Sequence, residues 1–262
     1  MSRVPSARRR VSPRASDTLE NVKPAPFPNF IKPCLASLRD KVPSGGGFLH
    51  ELKLDGYRVQ AHLRDGRVKL FTRSGLDWTK RFALIAADVG RVPAAELVID
   101  GEIISADEHG RRNFSALQDD LKHGRHDRMA YYVFDLLYLD GFDTRAAPLI
   151  ERKHALQRIL AKAGAKTPRV LYSEHFVDGP DLYARACNMK LEGIVSKRAD
   201  APYRSGRGEQ WLKIKCWKTQ RFAVVGFVPE GSCVSACNFD PLSWGSASKI
   251  DPLPLGLMRC SL

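Results

Sequence analysis

A turn dipeptide, Asp65-Gly66, separates two runs of alternating apolar residues. Every second residue on either side of it is apolar, at Val59, Ala61, Leu63, Val68 and Leu70. Alternation with a period of two is typical of strands that bury one face. An Asp-Gly pair between two such runs is among the strongest signals of a two-residue hairpin. The sequence therefore predicts an antiparallel hairpin, and hence a sheet, early in the chain.

Further strands and helices follow without a strict strand–helix alternation. Strands are predicted over residues 48–54, 96–105, 129–139, 170–176, 193–197, 210–217 and 222–228. Helices are predicted over residues 79–89, 114–122, 148–163 and 181–190. This mixture favours an α+β fold rather than a regular parallel sheet.

The charge of the chain indicates a polyanionic partner. There are 42 Lys and Arg residues against 29 Asp and Glu residues, which gives a net charge of +13. No run of about eighteen apolar residues could span a membrane, and the N-terminus lacks the apolar core of a secretory signal. We expect a cytoplasmic protein with no membrane partner. A mitochondrial-type presequence in the Arg- and Ser-rich start is the alternative.

The spacing of the six cysteines predicts neither a disulfide framework nor a zinc site. They are Cys34, Cys187, Cys216, Cys233, Cys237 and Cys260. No CxxC pair or histidine at ligand spacing supports a zinc site. We expect reduced, mostly buried thiols, as is usual for intracellular proteins.

Composition divides the chain into three parts. Residues 1–25 are rich in Arg, Ser and Pro, which predicts a disordered basic arm, either a solvated tail or a DNA tether. Residues 26–217 have the pattern of a globular domain. Residues 231–262 hold four charged residues and no sustained period, so we expect an unstructured extension there.

Five short segments combine Lys or an acidic residue with glycine or aromatic neighbours at predicted strands. They are residues 51–58 (ELKLDGYR), 100–102 (DGE), 132–135 (YVFD), 192–197 (EGIVSK) and 211–215 (WLKIK). Residues 44–47 (SGGG) are not followed by the GK[ST] of a phosphate-binding loop. Each segment is weak evidence alone, but their joint order and spacing are hard to attribute to chance.

Together the five segments resemble those of the covalent nucleotidyltransferases, which are the ATP-dependent DNA and RNA ligases and the mRNA capping enzymes. Residues 72–79 (TRSGLDWT), 134–141 (FDLLYLDG) and 192–207 (EGIVSKRADAPYRSGR) look like the ligase module of bacterial multifunctional end-joining DNA ligases. The resemblance covers residues 27–230. It implies an ATP-grasp-like adenylation (nucleotidyltransferase) domain of mixed antiparallel sheets and helices at residues 26–217.

The resemblance assigns the nucleophile to Lys53, which would attack the α-phosphorus of ATP and form lysyl-AMP. An amine attacks only when it is neutral, and burial and nearby cations favour the neutral form. Lys213 and Lys215 lie two residues apart on a predicted strand and therefore point the same way. We expect both to supply that positive charge and to hold phosphate oxygens.

Three further positions match nucleotide-binding residues of the family. Glu102 would accept hydrogen bonds from the ribose hydroxyls, and Phe134 would stack on adenine. Glu51 would bind the adenine amino group and so favour ATP over GTP. For Phe134 the alternative is ordinary core packing.

Phosphate and metal contacts follow from the same resemblance. Glu192 would help to bind the divalent metal, Mg²⁺ or Mn²⁺, that neutralises phosphate charge. Arg58 and Arg73 match ribose or nick-phosphate contacts, a role that suits the planar guanidinium. Exposed arginines that remain solvated are the alternative for both.

The implied function is that of an ATP-dependent DNA ligase in DNA repair and recombination. Such an enzyme adenylates itself, transfers AMP to a 5′-phosphate at a nick, and joins the 3′-hydroxyl. Its partners would be nicked or broken duplex DNA and end-joining proteins. We expect a monomer associated with the nucleoid.

One part of the family pattern is incomplete. Only residues 218–230 resemble the first strand of the OB-fold that follows the fifth segment, and residues 231–262 are too few to finish a barrel. A truncated or frame-shifted OB-fold predicts slow self-adenylation and weak sealing of nicks. The alternatives are a non-catalytic nucleotide- or DNA-binding remnant and an RNA ligase or capping-type transferase.

Overall fold

The computed structural model describes residue 19 and residues 21–105 and 114–216. Its strands are β1 (Lys23–Pro24), β2 (Cys34–Leu38), β3 (Phe48–Leu52), β4 (Tyr57–Arg64), β5 (Arg67–Thr72), β6 (Glu96–Ser105), β7 (Met129–Leu139), β8 (Phe142–Asp143), β9 (Val170–Tyr172), β10 (Gly193–Arg198) and β11 (Gly206–Lys215). Its α-helices are α1 (Ala83–Val89), α2 (Phe114–His123), α3 (Leu149–Ala163) and α4 (Gly179–Asn188). The chain divides after Cys216, and Trp217–Leu262 lies outside the described residues. The predicted strand at 222–228, the OB-fold remnant and the predicted tail lie in that segment.

The larger sheet has seven strands in the order β1-β8-β7-β6-β4-β5, with β9 paired to β7. Its pairs are antiparallel except for the parallel pair of β7 and β9. The hairpin predicted from the sequence is confirmed, because Arg64 lies opposite Arg67 and leaves a two-residue turn. Both turn residues have positive φ, 50° at Asp65 and 73° at Gly66, as a type I′ turn requires.

The smaller sheet has four strands in the order β2-β11-β10-β3. β10 pairs antiparallel with β11 and β3, whereas β2 runs parallel to β11. The sequence did not predict β2, because its partner lies about 170 residues further along the chain, as in the bond from Ser37 Oγ to the Gly208 carbonyl. A partner so distant in sequence leaves no local signal.

Several element boundaries differ from the predicted ones. The helix predicted from residue 79 begins at Ala83, because Thr79 instead accepts a hydrogen bond from the Leu70 amide. The strand predicted over 170–176 ends at Tyr172. The last helix begins at Gly179, where the Asp178 carboxylate caps the Asp181 amide at 2.9 Å. The last described strand starts four residues early, at Gly206.

The larger sheet packs α1 and α3 against one face. Ile85 and Val89 of α1 and Leu156 and Ile159 of α3 share a buried cluster with strand residues such as Ile99. A second cluster contains residues of both sheets, and among its members are Val98, Phe134, Cys34 and Trp211. The two sheets therefore contact each other through apolar side chains.

A buried ion pair fastens α3 to β7. Arg152 donates two hydrogen bonds to Asp135, at 2.7 and 2.9 Å, and both side chains are 0% exposed. Arg152 also donates to the carbonyls of Ala147 and Ala201. Because every charge has its partners, this burial is compatible with a stable fold. The pair holds the segment next to Phe134.

The N-terminal boundary predicted at residue 26 is too late. Leu19 is buried in the main cluster, and β1 pairs with β8 through Lys23 opposite Asp143. The Ala25 amide also donates to the Gly141 carbonyl. Composition could not show this pairing, because the partner strand is a two-residue segment far along the chain.

The prediction of reduced cysteines is wrong for one pair. Cys187 and Cys216 form a disulfide, with Cα atoms 5.3 Å apart, whereas Cys34 is a free buried thiol. The disulfide joins the end of α4 to the end of β11. Its two cysteines are 29 residues apart, so their spacing in the sequence did not predict the pair. Across the described ranges, no helix is both long and apolar enough to cross a bilayer.

Candidate active site

A cavity of about 670 Å³ lies between strands of the two sheets. It is lined by seven of the nine residues predicted from the sequence: Glu51, Lys53, Arg58, Arg73, Glu102, Phe134 and Lys213. The other two, Glu192 and Lys215, contact Lys53 or each other. The structure thus brings together side chains from five segments that are separated by up to about 160 residues.

The predicted nucleophile forms an ion pair at the end of β3. Lys53 follows the last residue of that strand, and its amide donates to the Gly193 carbonyl at 2.9 Å. The Lys53 ammonium contacts the Glu192 carboxylate. Lys215 approaches the other oxygen of Glu192, with Nζ 3.5 Å from Oε1. One carboxylate therefore lies between two amines.

A close backbone approach fixes this arrangement. Gly193 has φ of 142°, and a Cβ at this position would lie 2.0 Å from the Ile214 carbonyl oxygen. Only glycine permits that approach of β10 to β11. The same contact places Glu192 beside Lys215, because Gly193 is paired with Lys215 in the ladder.

Positive charge is concentrated at this end of the cavity. Burial lowers the pKa of Lys213, and the neighbouring charges of Lys215, Lys53 and Arg207 lower it further, against the opposing effect of Glu192. Lys213 and Arg207 both line the cavity. A cluster of cations around a partly buried cavity favours an anionic ligand such as a phosphate chain.

Glu102 has a raised pKa. Burial raises its pKa to about 7 and Asp100 adds to this effect, whereas Arg58, Lys53 and a hydrogen bond from the Gly56 amide oppose it. A Cβ on Gly56 would lie 2.1 Å from the Ile103 carbonyl oxygen, so glycine is required for this approach. A carboxyl group on the cavity wall suits hydroxyl groups as partners.

Phe134 forms part of the apolar wall. Phe134 is 9% exposed, and its ring packs edge-on against Trp211, with centroids 5.7 Å apart. The Lys197 ammonium lies 4.1 Å from the Phe134 ring centroid, and the Arg58 guanidinium lies 5.3 Å from it. The ring is therefore both a cavity wall and a core residue, and stacking on adenine stays a prediction.

Glu51 is held by protein groups on both oxygens. Lys153 donates to Oε1 and Lys197 to Oε2, each at 2.8 Å. Ser173 Oγ donates to Oε2 at 3.2 Å. Burial would raise the pKa of Glu51, but the two lysines keep it below its ordinary value. Binding of the adenine amino group by Glu51 stays a prediction. The structure shows in addition that two lysine ammonium groups hold the Glu51 carboxylate.

The two arginines differ in their surroundings. Arg58 makes a bidentate pair with Asp100, at 3.1 and 2.7 Å, and donates to the Cys34 carbonyl at 2.6 Å. Although burial disfavours its charge, Asp100 raises the pKa of Arg58 above its ordinary value. Arg73 is exposed at the rim of the cavity. Arg73 is therefore more accessible than Arg58 to an incoming phosphate.

Three side chains that support the site were not selected from the sequence. Tyr203 donates to Asp100 at 2.8 Å and accepts from the Cys34 amide, which fixes the partner of Arg58. Lys153 and Lys197 hold Glu51. Lys197 is the last residue of the segment 192–197, which resembles the family, and this position could have identified it as a site residue. No feature of the sequence could have identified Lys153, because one lysine in an amphipathic helix is ordinary.

A metal ion would need ligands from outside the protein. In the described segments, no three His, Cys, Asp or Glu side chains are grouped so as to hold one. Glu192 provides one carboxylate beside the cationic end of the cavity. Mg²⁺ commonly binds one or two carboxylates together with substrate phosphates and water. A single carboxylate therefore fits a metal that arrives with a nucleotide.

Comparison with known proteins gives consistent matches. The family model described as ATP dependent DNA ligase domain matches residues 32–215. The multifunctional non-homologous end joining protein LigD of Pseudomonas aeruginosa is 40% identical over 209 residues, which cover 79% of this chain and 24% of that protein. DNA ligase 1 of Korarchaeum cryptofilum is 33% identical over 199 residues, covering 71% of this chain and 36% of that protein.

Solved structures agree with these matches. The ligase domain of LigD from M. tuberculosis has a TM-score of 0.61 at 32% identity, covering 72% of this chain and 60% of that one. A mycobacterial DNA ligase D complexed with ATP and MES has a TM-score of 0.58 at 32% identity, covering 71% and 62%. The chain spans about a quarter of the length of the LigD proteins it matches, 24% and 22% in two cases.

Proposed function

Because this chain belongs to the family of ATP-dependent DNA ligase domains, we propose that it binds ATP in the cavity between its sheets and transfers AMP to Lys53. The observation that carries the proposal is the position of Lys53. Its amine contacts Glu192 and lies on the wall of a cavity that also contains Glu102, Phe134 and Lys213. The predicted fold class is confirmed by the structural matches.

Different residues of the cavity are assigned to the triphosphate, the ribose and the base of ATP. Lys213, Lys215 and Arg207 form the cationic end, which suits the triphosphate. We propose that Glu102 accepts hydrogen bonds from the ribose hydroxyls and that Phe134 stacks on the base, since both residues line the cavity. Attack by Lys53 requires release of its proton and of its contact with Glu192.

A divalent metal would supply charge neutralisation at the phosphates, with Glu192 as its protein ligand. The Lys53 and Lys215 ammonium groups now balance the charge of this carboxylate. A cation that takes over the carboxylate would leave Lys53 free to turn toward the nucleotide. We propose Mg²⁺ or Mn²⁺ for this position.

We further propose that the AMP acceptor is the 5′-phosphate at a nick or break in duplex DNA, in end joining. The LigD relatives are named for non-homologous end joining, and the net charge of +13 favours a polyanion. Residues 217–262, which contain the predicted start of an OB-fold, lie outside the described residues. Monomeric state and nucleoid association stay predictions.

Labelling with α-³²P-ATP and Mg²⁺ tests the first step. We expect label that survives denaturation, and mass spectrometry should locate the AMP adduct on the peptide that contains Lys53. Lys53→Ala should remove the label, because the variant lacks the cavity-wall amine to which we assign the transfer of AMP. Lys69→Ala, which removes an exposed lysine of β5, is the matched control and should label normally.

Label on wild type that Lys53→Ala retains would contradict the assignment of the nucleophile. No label on wild type, together with measurable binding of ATP, would favour the alternative of a non-catalytic nucleotide-binding remnant. The substrate is tested separately by offering nicked duplex DNA and nicked duplex RNA to pre-adenylated protein. Transfer of AMP to RNA alone would contradict the DNA proposal.

A further inference from the structure

Lys153 is a fully buried lysine that the proposed chemistry does not use. It lies on α3, its side chain is 0% exposed, and it is absent from the cavity wall. Its ammonium donates to Glu51 Oε1 at 2.8 Å and to the Ser173 carbonyl at 2.9 Å. It also lies 4.6 Å from the centroid of the Tyr172 ring. Lysines are almost never buried so completely unless they are paired.

The partner of Lys153 faces the cavity. Glu51 lines the cavity and is 3% exposed, and its second oxygen holds the Lys197 ammonium at 2.8 Å. Lys197 in turn lies 4.1 Å from the centroid of Phe134 and 4.3 Å from that of Trp211. The order of contacts is therefore Lys153, then Glu51, then Lys197, then the aromatic wall.

Two lysines on one carboxylate leave this cluster with a net positive charge. Without Lys153, Glu51 and Lys197 would form a neutral pair, and Glu51 Oε1 would be a buried acceptor without its donor. The carboxylate would then rotate toward other donors or take up a proton. Either change would move the Lys197 ammonium relative to the aromatic wall.

We propose that Lys153 is a positioning residue for base recognition, because it fixes Glu51 and thereby the Lys197 ammonium at the aromatic end of the cavity. This inference rests on the proposed function, in which the cavity binds ATP. Lys153 acts through Glu51 and does not touch the nucleotide.

The chemistry of the purine edge explains why this matters. Adenine presents an acceptor at ring N1 and a donor at its 6-amino group, whereas guanine presents a donor at N1 and an acceptor at O6. An ammonium group only donates and a carboxylate only accepts. In the proposed pose, Glu51 accepts from the 6-amino group of adenine and Lys197 donates to N1, whereas guanine in that pose would face the carboxylate with O6 and the ammonium with N1–H. A Glu51 that can rotate or take up a proton loses this discrimination.

The test measures base selectivity in Lys153→Met, which keeps the length of the side chain but removes its charge. Equilibrium binding is measured with α,β-methylene-ATP and α,β-methylene-GTP, and adduct formation with α-labelled ATP and GTP. We expect the preference for the adenine nucleotide to fall by about tenfold or more, the size of effect expected when a hydrogen-bonded site loses its geometry. The half-saturating ATP concentration should rise more than the maximal labelling rate falls, because the reacting atoms are untouched.

Three comparisons separate positioning from a purely structural role. Lys153→Arg keeps a charged donor and should recover selectivity in part. Lys162→Met removes an exposed lysine of the same helix and should change nothing. Purine riboside triphosphate, which lacks the 6-amino group, should bind more weakly than ATP to wild type but equally to Lys153→Met. Should Lys153→Met not fold, Lys153→Gln provides the same uncharged test.

A variant with lower stability but unchanged selectivity would overturn the inference, as would a wild-type protein that binds both methylene analogues equally. Failure of the proposed function has a different signature. Wild type would then bind the adenine analogue selectively yet form no adduct on Lys53, and the role of Lys153 would be decided by binding alone.

Discussion

Two carboxylates on the wall of one cavity have opposite protonation tendencies. Lys153 and Lys197 keep Glu51 ionised in spite of its burial, whereas burial raises the pKa of Glu102 to about 7. The difference arises because Glu51 has two ammonium groups in direct contact. Environment rather than residue type therefore decides how readily each carboxylate ionises.

Glu102 should make both stability and nucleotide binding depend on pH. Its pKa is about 7 in the folded state and 4.5 as the ordinary value. The folded state therefore holds the extra proton between these values, and the stability from this group is lost as pH rises through about 7. Glu102→Gln should flatten this part of the pH profile in urea unfolding, whereas the exposed Glu174→Gln should not.

Binding of ATP should respond in the opposite direction. The charged carboxylate is the better acceptor for ribose hydroxyls, so affinity for ATP in wild type should rise as pH passes from about 6 to about 8. Equilibrium dialysis with labelled methylene-ATP measures this change. An equal rise in Glu102→Gln would show that another group causes it.

The pairing of β10 with β11 connects secondary structure to the residues proposed for catalysis. Gly193 opens β10 and pairs with Lys215 at the end of β11, and the Cys216 amide donates to the Glu192 carbonyl at 3.0 Å. Lys53 joins the same corner through its amide. The position of three charged side chains thus depends on backbone contacts at one corner of the smaller sheet.

Gly193→Ala should disrupt that corner. The added Cβ would lie 2.0 Å from the Ile214 carbonyl oxygen, and φ of 142° is unfavourable for alanine. We expect a loss of about 1–3 kcal/mol in the free energy of unfolding, and adduct formation on Lys53 should decrease more than stability does. Gly46→Ala, where no atom lies within 4 Å, is the control. Normal labelling of Gly193→Ala would contradict the importance of this contact.

Across the molecule, the cavity is formed by strands from both sheets, and a disulfide closes one end of the smaller sheet. The apolar cluster that contains Phe134 and Trp211 joins the two sheets. The Cys187–Cys216 bond links α4 to the residue that follows Lys215, the last residue of β11. The site therefore depends on the assembly of the described domain as a whole.

The disulfide should contribute measurably to stability. Disulfides typically contribute about 2–4 kcal/mol, mainly by restricting the unfolded chain. Reduction should therefore lower the Tm of wild type, whereas Cys187→Ser should have the lower Tm with and without reductant. Thiol counting before and after reduction verifies the pair. An identical Tm for oxidised and reduced wild type would contradict this contribution.

The positive charge of the whole chain should control its affinity for DNA. Binding to phosphates releases counterions, so affinity for duplex DNA should fall by about tenfold or more between about 50 and 200 mM salt. Fluorescence anisotropy with a labelled nicked duplex measures this change. Affinity that does not vary with salt would contradict binding through phosphates.

Local patterns in the sequence predicted most of the elements and the chemistry-bearing segments. The alternation around Asp65-Gly66 specified a hairpin because the signal lies within adjacent residues. The strands at Glu96–Ser105 and Met129–Leu139 match the predicted bounds for the same reason. Six of the seven predicted residues that line the cavity lie in the five segments, because family resemblance records residue type and order.

Only the tertiary structure decided which side chains are partners. The sequence does not show that Lys153 and Lys197 share Glu51, that Asp100 holds Arg58, or that Cys187 meets Cys216. Each of these contacts joins distant parts of the chain. Residue types and their local period determine secondary structure, whereas such contacts form only when the sheets and helices pack. The charge states of the site depend on those contacts, so they follow from the fold and not from the motifs alone.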